Sequence, residues 1–312
     1  MTATLVGGVD LGATNLRAAV ATSDGTIREQ VQERTPRDDR RAVEAAVVAA
    51  LGDACQAAGV SPDRLAAVGV GTVGPLDRDA GVVRDPPNLP GVSRIDLEGP
   101  LSERTGAPVV VHNDAIAGLL AERAHGAPPN AVYLTLSTGI GAGACVDGHV
   151  LTGRDGNAAE VGHFVVAPEG ELRCGCGAAG HWEAYAAGAR IPDHAREVAA
   201  GTALETDLSL ETLTTPALVE AARAGDPLAS ETLDRVAAVN AIGLANIVHA
   251  YDPAAITIGG TVAREAGDQV LEPALEALPE HLLVPAPDVR VTSLETPVLE
   301  GALAAASDRL PA

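Results

Sequence analysis

The chain has 312 residues, a formal net charge of −21 and no lysine, so all 21 of its basic residues are arginine. A Walker-type phosphate loop and a Schiff-base mechanism each need a lysine and are excluded, and so acidic a surface offers no basic patch to nucleic-acid phosphates. With only 2% aromatic residues and an Ala/Gly/Val-rich interior, the acid excess reads as adaptation to high intracellular salt, where screening suppresses self-repulsion.

Residues 4–34 read as a β-meander: T-L-V-G-G-V-D ends at a glycine-rich corner, L-R-A-A-V-A alternates, and Ser23-Asp24-Gly25 turns into I-R-E-Q-V-Q. Apolar residues then recur at helical spacing from Asp38 to Ala58, with Gly59 as the stop. L-A-A-V-G-V-G is a buried strand, followed by a Gly/Pro-rich stretch through P-P-N-L-P-G, a short helix near Leu97 to Thr105, the buried strand P-V-V-V-H-N, and a helix from Ala115 to Ala124.

At Asn130 the pattern restarts: A-V-Y-L-T-L-S, the glycine corner T-G-I-G-A-G, the outgoing strand A-C-V and an Asp147-Gly148 hairpin turn. Helices follow over Pro216–Ala224 and Pro227–Ala250, then the strand A-A-I-T-I-G-G, a helix from Ala263 to Leu278, a strand from Val289 to Ser293, and a closing helix from Val298 to Leu310. Two meanders, each followed by alternating helices and strands, predict two duplicated α/β domains with a cleft between them, a division the length also favours. The boundaries expected are 1–114, with a C-terminal helix at about 297–312 packing back on it, and 115–296.

No run of about 18 uncharged apolar residues occurs and residues 1–10 lack a signal peptide's cationic start, so a cytoplasmic protein without membrane contact is expected. Of four cysteines, Cys55 and Cys145 stand alone, while Cys174 and Cys176 form a C-x-C. With His163 and His181 they supply two nitrogens and two sulfurs, a full ligand set for a tetrahedral structural zinc. Glu160 precedes His163 by three residues, one helical turn, and Glu183 follows His181 by two. A closed structural knot with incidental acids fits the same residues. A zinc hydrolase with Glu160 activating water would need an open metal position, which four protein ligands close.

Four further stretches offer chemistry. In the first corner, Gly12 and Ala13 can turn backbone N–H groups toward an anion, Thr14 adds a hydroxyl, and Asp10 is placed for a hydrated Mg²⁺. The second corner, Ser137 to Gly143, repeats the arrangement with Thr138, Gly139 and Gly141, and two such loops could clamp a nucleotide triphosphate without lysine. Gly259-Gly260-Thr261 ends a strand before a helix, where an α/β sheet binds a base and ribose. His112-Asn113-Asp114 ends an apolar strand: Asp114 reads either as a general base with Asn113 as a ligand-positioning amide, or one of the two as N-cap of the next helix.

D-L-G-A-T-N, H-N-D-A, L-S-T-G-I-G-A-G, E-V-G-H, C-G-C-G-A-A-G-H-W-E and I-G-G-T, in this order and spacing, resemble the ROK family of sugar kinases and sugar-responsive repressors over essentially the whole chain. The resemblance implies the actin-like, hexokinase-type ATPase fold and transfer of the terminal phosphoryl of ATP, with Mg²⁺, to a hexose hydroxyl. Glucose, at its 6-hydroxyl, is the favoured acceptor, with fructose, mannose or an N-acetylhexosamine as alternatives. By the same resemblance Asp114 is the base, while Asn88, Asn113, Glu160, His163 and Glu183 hold the sugar. Asp10, Gly12, Ala13, Thr14, Asn15, Thr138, Gly139, Gly141, Gly259 and Gly260 serve the nucleotide, and a homodimer or homotetramer is expected.

Two departures stand out. Ala13 and Asn15 replace the second glycine and the lysine of the usual D-x-G-G-T-K, and His181 replaces a cysteine in the zinc set, so that a degraded site in which His181 does not ligate is the alternative. The family's repressors carry a helix-turn-helix before the first strand; with that strand starting near residue 4 none is expected here, and a sugar-responsive regulator lacking a DNA-binding domain is the further alternative to a kinase.

Overall fold

The computed structural model describes residues 3–78, 80–86, 89, 91–154 and 156–310; Asn88, expected at the sugar's edge, lies outside them. The opening meander is β1 (Leu5–Leu11), β2 (Asn15–Thr22) and β3 (Ile27–Arg34), with β2 antiparallel to both neighbours. One face of β1 and β2, carrying Val9, Leu11, Leu16, Ala18 and Val20, is buried in the same core as Val43, Val47 and Leu51 of α1 (Arg40–Ala57). The Asp39 side chain caps α1 by accepting from the Ala42 N–H at 2.9 Å, which satisfies a donor the first turn leaves orphaned.

After β4 (Leu65–Thr72), the Gly/Pro-rich stretch holds a small antiparallel sheet that its turn residues concealed: β5 (Leu76–Asp77), β6 (Val82–Arg84) and β7 (Arg94–Asp96). α2 (Glu98–Thr105) ends at left-handed Gly106, and β8 (Val109–Asn113) leads into α3 (Asp114–Ala124).

The pattern then repeats with β9 (Ala131–Leu136), β10 (Ile140–Val146) and β11 (His149–Val150). Next come α4 (Trp182–Ala186), α5 (Ile191–Gly201), α6 (Thr215–Arg223), α7 (Pro227–Tyr251) and β12 (Ala255–Gly259). The single helix expected over 263–278 is instead three pieces, α8 (Thr261–Glu265), α9 (Gly267–Val270) and α10 (Glu272–Ala277). Gly267 is a weak helix former, and Pro273 has no N–H to return while its ring crowds the carbonyl four residues back, so a continuous helix cannot run through. β13 (Asp288–Val291) and α11 (Pro297–Ser307) close the chain.

Contacts group Met1–Pro129 with Val150–Ala158 and Leu294–Ala312, and separately Asn130–His149 with Ala159–Ser293. The first unit thus runs to Pro129 and takes in α3, which packs on α11 of the closing segment. Gly69 of β4 lies against the Ala302 backbone and Gly301 against the Ala117 backbone, each so close that a Cβ would overlap it.

The first unit's sheet has the order β3-β2-β1-β4-β8 and the second's β11-β10-β9-β12-β13. In both, a central strand pairs antiparallel with its successor on one side and parallel with a later strand on the other. Each glycine corner therefore occupies the same place in its own sheet. Among the described residues no helix is long and apolar enough to cross a membrane.

Candidate functional site

In the first unit, the corner between β1 and β2 is closed by the Gly12 N–H donating to the Asn15 carbonyl at 3.0 Å. That N–H is therefore used within the turn, and the groups left to face an anion are those of Ala13 and Thr14. Thr35 braces the corner from behind: its N–H reaches the Thr14 carbonyl at 3.0 Å and its hydroxyl the Gly12 carbonyl at 2.7 Å. Arg37 donates to the Ala13 carbonyl at 3.1 Å. It brings a guanidinium to a corner that lacks the usual lysine, and a reading by adjacent residues misses it because it arrives from the β3–α1 connection. Asp10 is buried, with one carboxylate oxygen accepting from Arg17 at 2.9 Å. Burial raises its pKa and the Arg17 guanidinium opposes that rise.

At the end of β8 the cap is Asn113, whose Oδ1 accepts from the Ile116 N–H at 2.7 Å. Asp114 lies in the first helical turn, half-buried, and accepts from the Ala115 N–H at 2.8 Å. The two functions that the sequence left undivided are thus separable, with the amide oxygen holding the helix and the carboxylate beside it. His112 is buried, its Nδ1 has no hydrogen-bond partner, and desolvation lowers its pKa to about 4, helped by the charges of Arg78 and Arg309.

In the second unit, Ser137, Thr138 and Gly139 turn the chain between β9 and β10, with the Ser137 N–H on the Gly139 carbonyl at 3.0 Å; Gly141 follows in β10, paired with Thr135. The Gly188 and Ala189 N–H groups donate to the Ser137 and Thr138 carbonyls at 2.7 and 3.2 Å, and the Ser137 hydroxyl lies 3.3 Å from that of Thr261. Gly260, at the C-terminal end of β12, has φ +102° and packs against the Leu136 backbone; no side chain fits there. Thr138, Gly188, Thr215, Glu220, Arg223 and Thr261 line part of a cavity of about 490 Å³ at this end of the sheet. Arg223 is fixed to its wall by the Glu265 carbonyl at 2.7 Å and the Asp268 carboxylate. Thr215, Glu220 and Arg223 carry no motif and were not legible beforehand. A larger cavity of the first unit, about 980 Å³ between α1 and α2, contains none of the motif residues.

The 160–183 segment brings its four ligands together: His163, Cys174, Cys176 and His181 offer atoms all within 4.8 Å of one another. The two Nδ1 atoms are 3.2 Å apart, Cys174 Sγ is 3.6 Å from His163 Nδ1, and Cys176 Sγ is 3.4 Å from His181 Nδ1. A tetrahedral ion with Zn–N and Zn–S bonds of about 2.0 and 2.3 Å sets N–N near 3.3 Å and S–N near 3.6 Å. The residues therefore fit such an ion, His181 included. Desolvation lowers the His181 pKa, which keeps its lone pair, and raises the Cys174 thiol to about 12, so that its ionisation calls for a cation.

Ligation through Nδ1 leaves His163 Nε2, 3.8 Å from the Glu160 carboxylate across a single 3₁₀ turn, Val161–His163. Burial raises the Glu160 pKa although half of its side-chain surface remains accessible. Glu183 Oε2 accepts from the Ile140 N–H at 3.1 Å, and Oε1 lies 3.4 Å from Cys174 Sγ. Of the aromatic residues in this segment, Trp182 is wholly buried, its indole N–H on Asn240 at 2.8 Å, and Tyr185 is buried, while Phe164 is half-exposed.

Comparison with known proteins follows this geometry. The ROK family profile matches residues 6–306. A glucokinase of Pyrobaculum calidifontis is 37% identical over 290 residues, covering 92% of this chain and 89% of its own. The crystal structure of a ROK hexokinase from Thermus thermophilus is similar with a TM-score of 0.83 at 37% identity, covering 97% of this chain and 98% of that one. A ROK family glucokinase from Streptomyces griseus, solved in complex with glucose and AMPPNP, gives 0.78 at 33% identity over 97% and 99% of the two chains. The duplicated sheet is accordingly the actin-like, hexokinase-type ATPase fold. With matching corners in both units, a cysteine–histidine cluster after E-V-G-H, and a family profile running nearly end to end, this chain belongs to the ROK family.

Proposed function

We propose that the protein is an ATP-dependent glucokinase. The observation that carries the reading is the pair of glycine corners at equivalent places in a duplicated sheet, the second opening on a cavity at the C-terminal end of β12; the relative solved with glucose and AMPPNP matches this chain along almost its whole length. Phosphoryl transfer asks a protein chiefly to position reactants and offset charge. Thr14, Arg37 and the backbone of the first corner are the first unit's groups for the phosphates and Thr138 with the second corner's backbone the second unit's, while Gly259-Gly260 with the Arg223 wall are the groups for the nucleoside. Asp10 would hold the hydrated Mg²⁺, which would supply charge neutralisation at the transferring phosphoryl group.

Asp114 accepts the proton of the sugar's 6-hydroxyl. Asn113, its oxygen engaged in the cap, offers its amide N–H to the sugar, joined by Asn88, Glu160, His163 Nε2 and Glu183. His163, Cys174, Cys176 and His181 would hold a structural Zn²⁺, which would fix the His163 ring and leave its other nitrogen for the sugar. A cytoplasmic homodimer or homotetramer adapted to high salt completes the reading.

A coupled ADP-release assay over a hexose panel in molar KCl tests it. Glucose should give the highest kcat/KM. Another hexose exceeding it by more than tenfold overturns the substrate, and no ADP with any hexose overturns the kinase.

A further inference from the structure

We propose that Glu183 is a positioning residue for the nucleotide loop, tying the Ser137–Ile140 corner to the metal module so that the module's state sets nucleotide affinity. This rests on the kinase reading above and adds to it a coupling between two sites of one unit.

The corner has no lysine, and the side-chain contact of its own is that of the Ser137 hydroxyl with Thr261 at 3.3 Å. Its shape is imposed from the 160–189 segment. Glu183 Oε2 takes the Ile140 N–H at 3.1 Å, and a Cβ on Gly139 would stand 2.8 Å from that oxygen, so glycine is what lets the carboxylate approach. From the other side Gly162, between Glu160 and His163, lies against the Ile140 carbonyl where a Cβ would overlap. Both backbone polar groups of Ile140 are therefore contacted by residues next to the proposed ligands: Gly162 precedes His163, and Glu183 follows His181 by two. Glu183 is itself presented from a fixed point, since its neighbour Trp182 is fully buried and hydrogen-bonded to Asn240 of α7.

Glu183 Oε1 faces Cys174 Sγ at 3.4 Å. The carboxylate that takes the Ile140 N–H through one oxygen thus touches a proposed ligand through the other. Without the metal, His163 and His181 are no longer held together, Gly162 and Glu183 gain freedom, and the corner loses the contacts that shape it.

The test measures AMPPNP binding in the presence of Mg²⁺ and without sugar, by calorimetry in molar KCl, so that a sugar-binding role of Glu183 cannot move the result. Wild type is measured first as isolated with zinc, then after chelation and desalting, then after zinc is restored. The dissociation constant should rise about tenfold on chelation and recover on zinc return, the scale of one lost charge-assisted hydrogen bond. Glu183→Ala should show a similar rise with its zinc retained. Glu183→Gln, which keeps an acceptor for the Ile140 N–H, should restore affinity to within a few-fold of wild type.

In parallel, amide exchange of wild type should show the Ile140 N–H protected with zinc and exposed without it, which decides the matter should Glu183→Ala fail to fold. Equal affinity in zinc-loaded, chelated and Glu183→Ala proteins, unchanged Ile140 protection, or no rescue by Gln overturns the coupling. Failure of the zinc-loaded wild type to bind AMPPNP overturns the kinase reading itself, and is seen before any variant is made.

Discussion

Asp114→Asn separates catalysis from helix capping because the structure assigns the cap to its neighbour. The Ile116 N–H is held by Asn113 Oδ1 at 2.7 Å, so the change at 114 leaves that bond untouched. An Asn side-chain oxygen can also keep the 2.8 Å bond from the Ala115 N–H. What disappears is one negative charge in the first turn of α3, about 0.3–1 kcal/mol of favourable interaction with the helix dipole. Thermal or urea unfolding should therefore move by no more than about 1 kcal/mol. The amide cannot accept a proton, so kcat with glucose and saturating Mg-ATP should fall by roughly 10² to 10⁴ while both substrates still bind. Asn113→Ala is the counterpart: it removes the cap, should cost about 1 kcal/mol of stability, and should raise the glucose KM more than it lowers kcat. A folded Asp114→Asn protein that turns over glucose within a few-fold of wild type would refute the general-base assignment.

Three other outcomes are expected. Arg37→Ala should raise the KM for ATP roughly 3- to 10-fold, as befits an exposed charge-assisted contact worth about 1 kcal/mol, and leave the glucose KM unchanged; equal shifts in both would show that Arg37 supports the fold rather than the phosphates. His112, neutral in the fold until about pH 4 but titrating near 6.5 when unfolded, lets the unfolded state bind the extra proton between those values. Its contribution to stability is thus full above pH 6.5 and falls by up to about 3 kcal/mol as pH drops toward 4, so His112→Gln should flatten the unfolding free energy across that window, and an unchanged slope would contradict the burial argument. With a charge of −21, lowering salt from about 1 M to 0.1 M lengthens the screening distance from about 3 to 10 Å and should lower both melting temperature and activity; unchanged values in dilute buffer would remove the salt adaptation.

What was legible in the sequence was what repeats or punctuates. The two meanders and their corners were readable because alternation and glycine have local causes, and the cysteine–histidine set because metal ligands must be of particular types. The three-way break of 261–277 was also written there, in Gly267 and Pro273, but the apolar spacing across them suggested one helix. The small sheet of β5, β6 and β7 was obscured because strands of two or three residues carry no periodicity. Arg37, Thr215 and Arg223 reach their places through tertiary packing, which no spacing along the chain encodes. Glu183 was legible as a carboxylate near the sugar; its bond to the Ile140 backbone was not, because a backbone N–H leaves no trace in composition.

The two corners show how equivalent positions in a duplicated fold have come to be braced by different means. In the first unit the brace is local and cationic on one side: Thr35 holds the Gly12 carbonyl and Arg37 the Ala13 carbonyl, both from the segment leaving β3. In the second unit β10 starts beside the cysteine–histidine segment, and the brace is acidic: Glu183 on the Ile140 N–H, with the Gly188 N–H on the Ser137 carbonyl. An exposed guanidinium is screened by salt, whereas a half-buried carboxylate bonded to backbone feels salt far less. High salt therefore weakens the first brace and spares the second. In a chain without lysine and with a net charge of −21, a carboxylate bonded to a backbone N–H keeps the second corner fixed where a surface guanidinium at the first is screened.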